Sequence, residues 1–140
     1  MSTDVTPVPP LAVGVLATAV GGAVGAVARW ALTVAFPVPA GHFPRTIFVV
    51  NVVGAGLLAA LPLVPAIRNR AWLVLLLGTG VLGGFTTMSA ASAETFELLD
   101  GGHLATGLGY GLGTVLAAVG AVLLVDRLSR SGRQTDGGAA

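Results

Sequence analysis

The residues of this chain that could do chemistry stand almost alone among apolar neighbours. Thr86, Thr87, Ser89 and Ser92 form a run of hydroxyls just after Gly78, Gly80, Gly83 and Gly84. Asn51 is the one amide in an earlier apolar stretch, and Tyr110 and Thr114 are the strongest donors in a later one. An amide NH2 offers two donors and a hydroxyl one, so Asn51 is a plausible first contact for an anion. Each group also has a plainer use. Asn51 can simply hold two helices together, and Thr87 and Ser89 can bond back to the carbonyl one turn earlier. Tyr110 and Thr114, spaced i, i+4, share one helix face. An enzyme is not expected: there is no nucleophile–base pair, no HExxH and no cluster of acids, and His42 and His103 stand far apart in the sequence.

The elements that must position these groups follow from charge and hydropathy. The 140 residues are 54% hydrophobic and 9% charged, with a mean hydropathy of +0.90. A soluble domain carries about 25% charge, so lipid must wet most of this surface. Cysteine is absent, which excludes disulfides and thiolate metal sites. A net charge of +1 gives no reason to expect nucleic acid. Four stretches lack Asp, Glu, Lys and Arg (Val5–Ala28, Thr46–Ile67, Ala71–Ala93 and Gly101–Val125), each long enough to cross hydrocarbon about 30 Å thick. The lead-in has no basic residue, unlike a signal peptide.

The expected fold is therefore all-α and integral to the membrane. Residues 1–10 form a flexible lead-in, 11–125 a four-helix transmembrane domain, and 126–140 a basic, disordered tail. The helices are expected at about Leu11–Leu32, Arg45–Leu63, Ala71–Leu99 and His103–Val125. Glycines and hydroxyls at mid-membrane predict that the third is broken, which is tolerated only where protein or water buries the freed backbone. Small-xxx-small pairs (Gly21/Gly25, Gly80/Gly84, Gly107/Gly111, Gly109/Gly113) allow close helix packing, most simply within the bundle. Four short helices cannot shield a pore alone, so an oligomer is expected. Arg68, Arg70, Arg127, Arg130 and Arg133 fall on one side, and Arg29 and Arg45 on the other. That bias predicts both termini in the cytoplasm of a cell-membrane protein.

Three motifs resemble the Fluc (CrcB) family of fluoride channels. Gly21–Trp30 is similar to its GGxxGAxxRY/W, Val50–Ala55 to its VNxxGs/a, and Gly78–Glu94 to its GxxGGxTTFSTFSxE. The resemblance covers nearly all of Leu11–Val125. It implies passive export of fluoride through an antiparallel dimer of four-helix subunits, with two narrow pores along the interface. It also implies a structural sodium ion held by the carbonyls of Gly83 and Thr86. Asn51, Thr87, Ser89, Tyr110 and Thr114 are then expected to line the pore, supplying donors that replace fluoride's tightly held water. Arg29, expected near the end of the first helix, either snorkels to headgroups or gathers anions at the pore mouth. Glu94, being an anion, fits a cap or salt bridge better than fluoride contact, and His103 fits a solvated position.

The chain departs from the family where two phenylalanines are expected and Met88 and Ala91 stand instead. Neither has a ring edge to offer an anion. Ile47 likewise stands where a hydroxyl is usual, with Thr46 one residue earlier. Combined with the one-sided arginines, this favours a heteromer over a homodimer: a related subunit of opposite orientation would supply the rings. Two other readings are weaker. A small multidrug exporter needs an acid in its first helix, and none lies between Asp4 and Arg29. A purely structural partner subunit remains open.

Overall fold

The computed structural model describes residues 9–136, with side chains as far as Ser131. Most of the expected lead-in (1–8), the last four residues and the Arg133 side chain lie outside this description. Helix α1 is Leu11–Ala35, and α2 is Arg45–Ala60, tightening into a 3-10 turn at Leu61–Leu63 where Pro62 removes an amide. A short α3 (Pro65–Arg68) leads to the third span. That span comprises α4 (Ala71–Val74), a π-helical stretch (Leu75–Leu82), α5 (Gly83–Phe85) and α6 (Met88–Asp100). Helix α7 runs from Leu104 to Asp136. Four helical segments, Leu11–Ala35, Arg45–Leu63, Ala71–Asp100 and Leu104–Ser131, are long and apolar enough to cross a membrane. The chain is a multi-pass membrane protein with an interrupted third span, as its sequence predicts.

Two boundaries differ from expectation. Helix α1 continues to Ala35, so Arg29 lies about 9 Å inside its end rather than at it. Helix α7 does not stop at Val125 with a disordered tail. No proline follows, and Asp126 and Arg130 pair at 3.0 Å with i, i+4 spacing. Ser129 and Ser131 donate to the carbonyls of Asp126 and Arg127. The helix continues to Asp136.

The break divides the packing of the third span. Its first part lies against α1, while α6 lies against α7, which also packs on α2. The first contact is glycine on glycine. A Cβ at Gly80 would stand 2.9 Å from the Gly21 Cα, and one at Gly84 the same distance from the Gly22 Cα. Gly107 and Gly111 likewise receive Leu99 and Thr95, so these pairs serve packing within the subunit. Gly109 and Gly113 face open space. The buried cluster is small, formed by Ile47, Ala91, Leu98 and Tyr110. Most large apolar side chains are exposed, as expected when lipid is the solvent.

Candidate functional site

The site is built around the interruption at Thr86 and Thr87, whose backbones are extended (ψ 152° and 112°). Asn51 of α2 clamps it. The Thr87 N–H donates to Asn51 Oδ1 at 2.7 Å, and Asn51 Nδ2 donates to the Thr87 carbonyl at 3.0 Å. Thr87 in turn starts α6: its Oγ1 accepts from the Ala90 N–H at 3.1 Å, an N-cap. One turn along α2, Gly54 leaves room for the Thr86 side chain, because a Cβ there would overlap Thr86 Cγ2. The Val-Asn-Val-Val-Gly motif is thus a socket for the break.

These bonds free two carbonyls. In a continuous helix the amide of residue i+4 bonds the carbonyl of residue i. The amides of Thr87 and Ala90 would then serve Gly83 and Thr86. Both are diverted, one to Asn51 and one to the Thr87 hydroxyl. The Gly83 and Thr86 carbonyls thereby lose their usual helical donors, and Gly83 is exposed. That donor set fits an alkali cation, since unwound carbonyls at half-helix ends are suited to sodium.

A groove of about 230 Å³ opens on the same region, lined by Asn51, Thr86, Thr87, Met88 and Thr114 with Ala55, Leu58, Val115 and Ala118. Three of the five expected pore-lining residues therefore meet in one place. Ser89 joins them through its Oγ, 3.1 Å from Thr87 Oγ1. Counting donors shows what this wall offers an anion. The Thr86 hydroxyl is engaged by the Leu82 carbonyl (2.9 Å) and that of Thr114 by the Tyr110 carbonyl (2.7 Å). One Asn51 N–H remains, and one hydroxyl hydrogen of the Thr87–Ser89 pair remains. Asn51 ties two helices, and one N–H of its amide is not used by the clamp.

Tyr110 lies elsewhere. Its ring is fully buried, with Phe43 meeting it edge-on at 5.4 Å, and its hydroxyl donates to Glu94 Oε2. Glu94 is thus neither a cap nor a salt-bridge partner. It borders a second recess of about 160 Å³, beneath the α1–α2 loop, with His42 and Glu97. The sequence carried a sign of this pairing, since 94 and 110 are equidistant from Gly102 in the α6–α7 hairpin. His103 is exposed as expected, its ring beside Gly41, whose φ of +78° suits glycine. Arg29 is half-buried and its Nε reaches the Gly84 carbonyl at 3.4 Å. It touches the break from the α1 side.

Met88 and Ala91 separate as well. Met88 is 61% exposed on the groove, whereas Ala91 is 3% exposed and packs with Ile47, Leu98 and Tyr110. Only the first can present a side chain to the groove of this subunit.

An interrupted span, clamped by an amide from its neighbour, with carbonyls and donors left free beside a groove, defines a broken-helix membrane protein of the channel and transporter kind. The chain belongs to the CrcB-like family (CrcB-like protein, Camphor Resistance), whose family model matches residues 16–125. It is 41% identical over 123 residues to fluoride-specific ion channel FluC 2 of Nocardia farcinica, covering 84% of this chain and 86% of that one. It is 44% identical over 112 residues to FluC 1 of Streptomyces coelicolor (79% and 73%). The FluC of Paracoccus denitrificans is 41% identical over 111 residues (77% and 87%).

Proposed function

We propose that this chain is a subunit of a fluoride-specific channel that lets fluoride leave the cell down its electrochemical gradient. The observation that carries this is the groove at the break, where Asn51, Thr86, Thr87 and Thr114 meet on a wall whose other residues are apolar. The names of the relatives supply the ion. Fluoride gives up its water only to strong donors, and the donors left free at this wall number about two by valence counting. A second subunit must add others. The reading therefore includes an antiparallel dimer, and the one-sided arginines favour a partner of different sequence, inserted the other way. Both termini then lie in the cytoplasm.

The carbonyls of Gly83 and Thr86 would hold a structural sodium, which supplies fixed positive charge at the junction of the two subunits. This chain's own part is to present those oxygens, and the diversion of their amide donors supports that role. No step of permeation requires a residue to change its covalent state.

The test is fluoride efflux from liposomes, read with a fluoride electrode, for this chain alone and with a candidate partner. Efflux only with the partner is the expected result. Full efflux from this chain alone would end the heteromer reading, and no efflux in either case would end the channel reading.

A further inference from the structure

A second groove runs from the α2–α4 turn toward the break, as far as Val81 and Leu82. It has a volume of about 280 Å³, and its lining, which includes Leu57, Leu61, Val64, Ile67 and Leu77, is entirely apolar. From Leu57 to Val64 it follows the chain for about 10 Å. The turn Arg68-Asn69-Arg70 follows the lining residue Ile67 and is tied to the lining by the Arg68 N–H donating to the Val64 carbonyl and that of Arg70 to the Ile67 carbonyl, each at 3.0 Å. Both arginines are exposed, and Trp72 beside them is 42% exposed.

Charge selects the occupant. No acidic residue stands between Asp4 and Glu94, and the one ion pair among the described residues, Arg130 with Asp126, is elsewhere. Two exposed arginines without a carboxylate partner follow directly on Val64 and Ile67 of a slot lined only by apolar residues. We propose that this groove is a site for an anionic phospholipid. Its phosphate is held by Arg68 and Arg70, and one acyl chain lies against Leu61, Val64 and Leu77. Guanidinium groups bind phosphate oxygens in paired hydrogen bonds, and anionic lipids are drawn to basic juxtamembrane turns. The inference rests on the chain crossing a membrane, and it is independent of which ion the protein conducts.

The experiment uses the purified channel in detergent with added dioleoylphosphatidylglycerol, dioleoylphosphatidylcholine or inorganic phosphate. Thermal unfolding, lipid retention in native mass spectrometry and size-exclusion elution are followed. Phosphatidylglycerol is expected to raise Tm by several degrees and to stay bound, with phosphatidylcholine and phosphate doing neither. R68Q/R70Q should lose the difference between the lipids, and R68K/R70K should keep part of it. Leu57→Trp, which fills the groove from a half-exposed position, should lose retained lipid while its circular dichroism stays unchanged. Equal effects of the two lipids would overturn the proposal, as would a phosphate effect equal to that of the lipid, or retention by R68Q/R70Q or by Leu57→Trp. Dissociation of the assembly by R68Q/R70Q would overturn it too, by assigning the groove to a second subunit. Fluoride efflux is measured in parallel, so that a channel which conducts without a lipid preference separates this failure from failure of the channel reading.

Discussion

The fit of Gly54 against Thr86 yields a prediction whose size can be worked from the structure. A Cβ at Gly54 would lie more than an ångström inside ordinary contact with Thr86 Cγ2, while its next neighbours, Phe85 Cδ1 at 3.4 Å and Thr86 Cβ at 3.8 Å, are at normal distance. The whole conflict is with one methyl group. Gly54→Ala should therefore cost about 1–3 kcal/mol, the usual cost of overpacking, because Thr86 cannot simply turn away. Its hydroxyl is fixed to the Leu82 carbonyl at 2.9 Å, and its neighbour Thr87 is clamped by Asn51. Thr86→Ser removes that methyl and keeps the hydroxyl bond. Alone it should cost about 1 kcal/mol or less, but in the Gly54→Ala background it should restore stability. The expected coupling is about 1–2 kcal/mol, within the range found for residues in contact. Thermal or denaturant unfolding of the four proteins in one detergent measures it, and fluoride efflux should follow the same order. If Gly54→Ala matches wild type, or if Thr86→Ser fails to rescue it, the socket account of the break is wrong.

Other predictions address the remaining parts. Asn51→Leu strips the partners from a half-buried backbone amide and carbonyl, and should cost about 1–3 kcal/mol in unfolding experiments and abolish efflux. Met88→Phe, at a 61% exposed position, should change the stability of the subunit by less than about 0.5 kcal/mol. Ala91→Phe, at a 3% exposed position beside Tyr110, should cost about 1–3 kcal/mol or prevent folding. Tyr110→Phe removes the donor to Glu94 and should lower stability by about 1–3 kcal/mol, read as a fall in Tm. The chain has no cysteine, so Ser131→Cys gives a single label. A membrane-impermeant maleimide should leave it unlabelled in intact cells, and half-labelling would reveal insertion in both directions.

The spans were legible because charge is so sparse that its gaps mark them. The interruption was legible because glycines and hydroxyls crowd one third of a single span. What the sequence left open was partnership. Asn51 could be given two roles, and only the distance to Thr87 shows that it performs the tying role with both ends of its amide and still keeps an N–H. Arg29 was placed near a helix end because the first helix was expected to close at about Leu32, and α1 continues to Ala35. Its partner, the Gly84 carbonyl, is 55 positions away, and no local pattern could supply it. Met88 and Ala91 looked equivalent as substitutions in one motif, yet they are three residues apart next to a helix start, and the turn sends one to the groove and the other to the core. The continuation of α7 was missed for a different reason. Gly, Ser and Arg suggest disorder by composition, but the i, i+4 pairing of Asp126 with Arg130 acts locally in favour of the helix.

The third span owes its interruption to rivals for its amides: no proline lies within it, and every φ at the gap is ordinary for an L-residue. One rival belongs to the second span, so that part of the gap exists only once the two spans have met. Before then, Thr86 and Thr87 have no better partners than their own neighbours, and a continuous rod is the favoured form. The acceptors beside the gap are accordingly a product of assembly, made available at the moment of docking. A synthetic peptide of residues 71–100 in micelles should be helical throughout, with amide exchange at Thr87 as slow as at the residues flanking it.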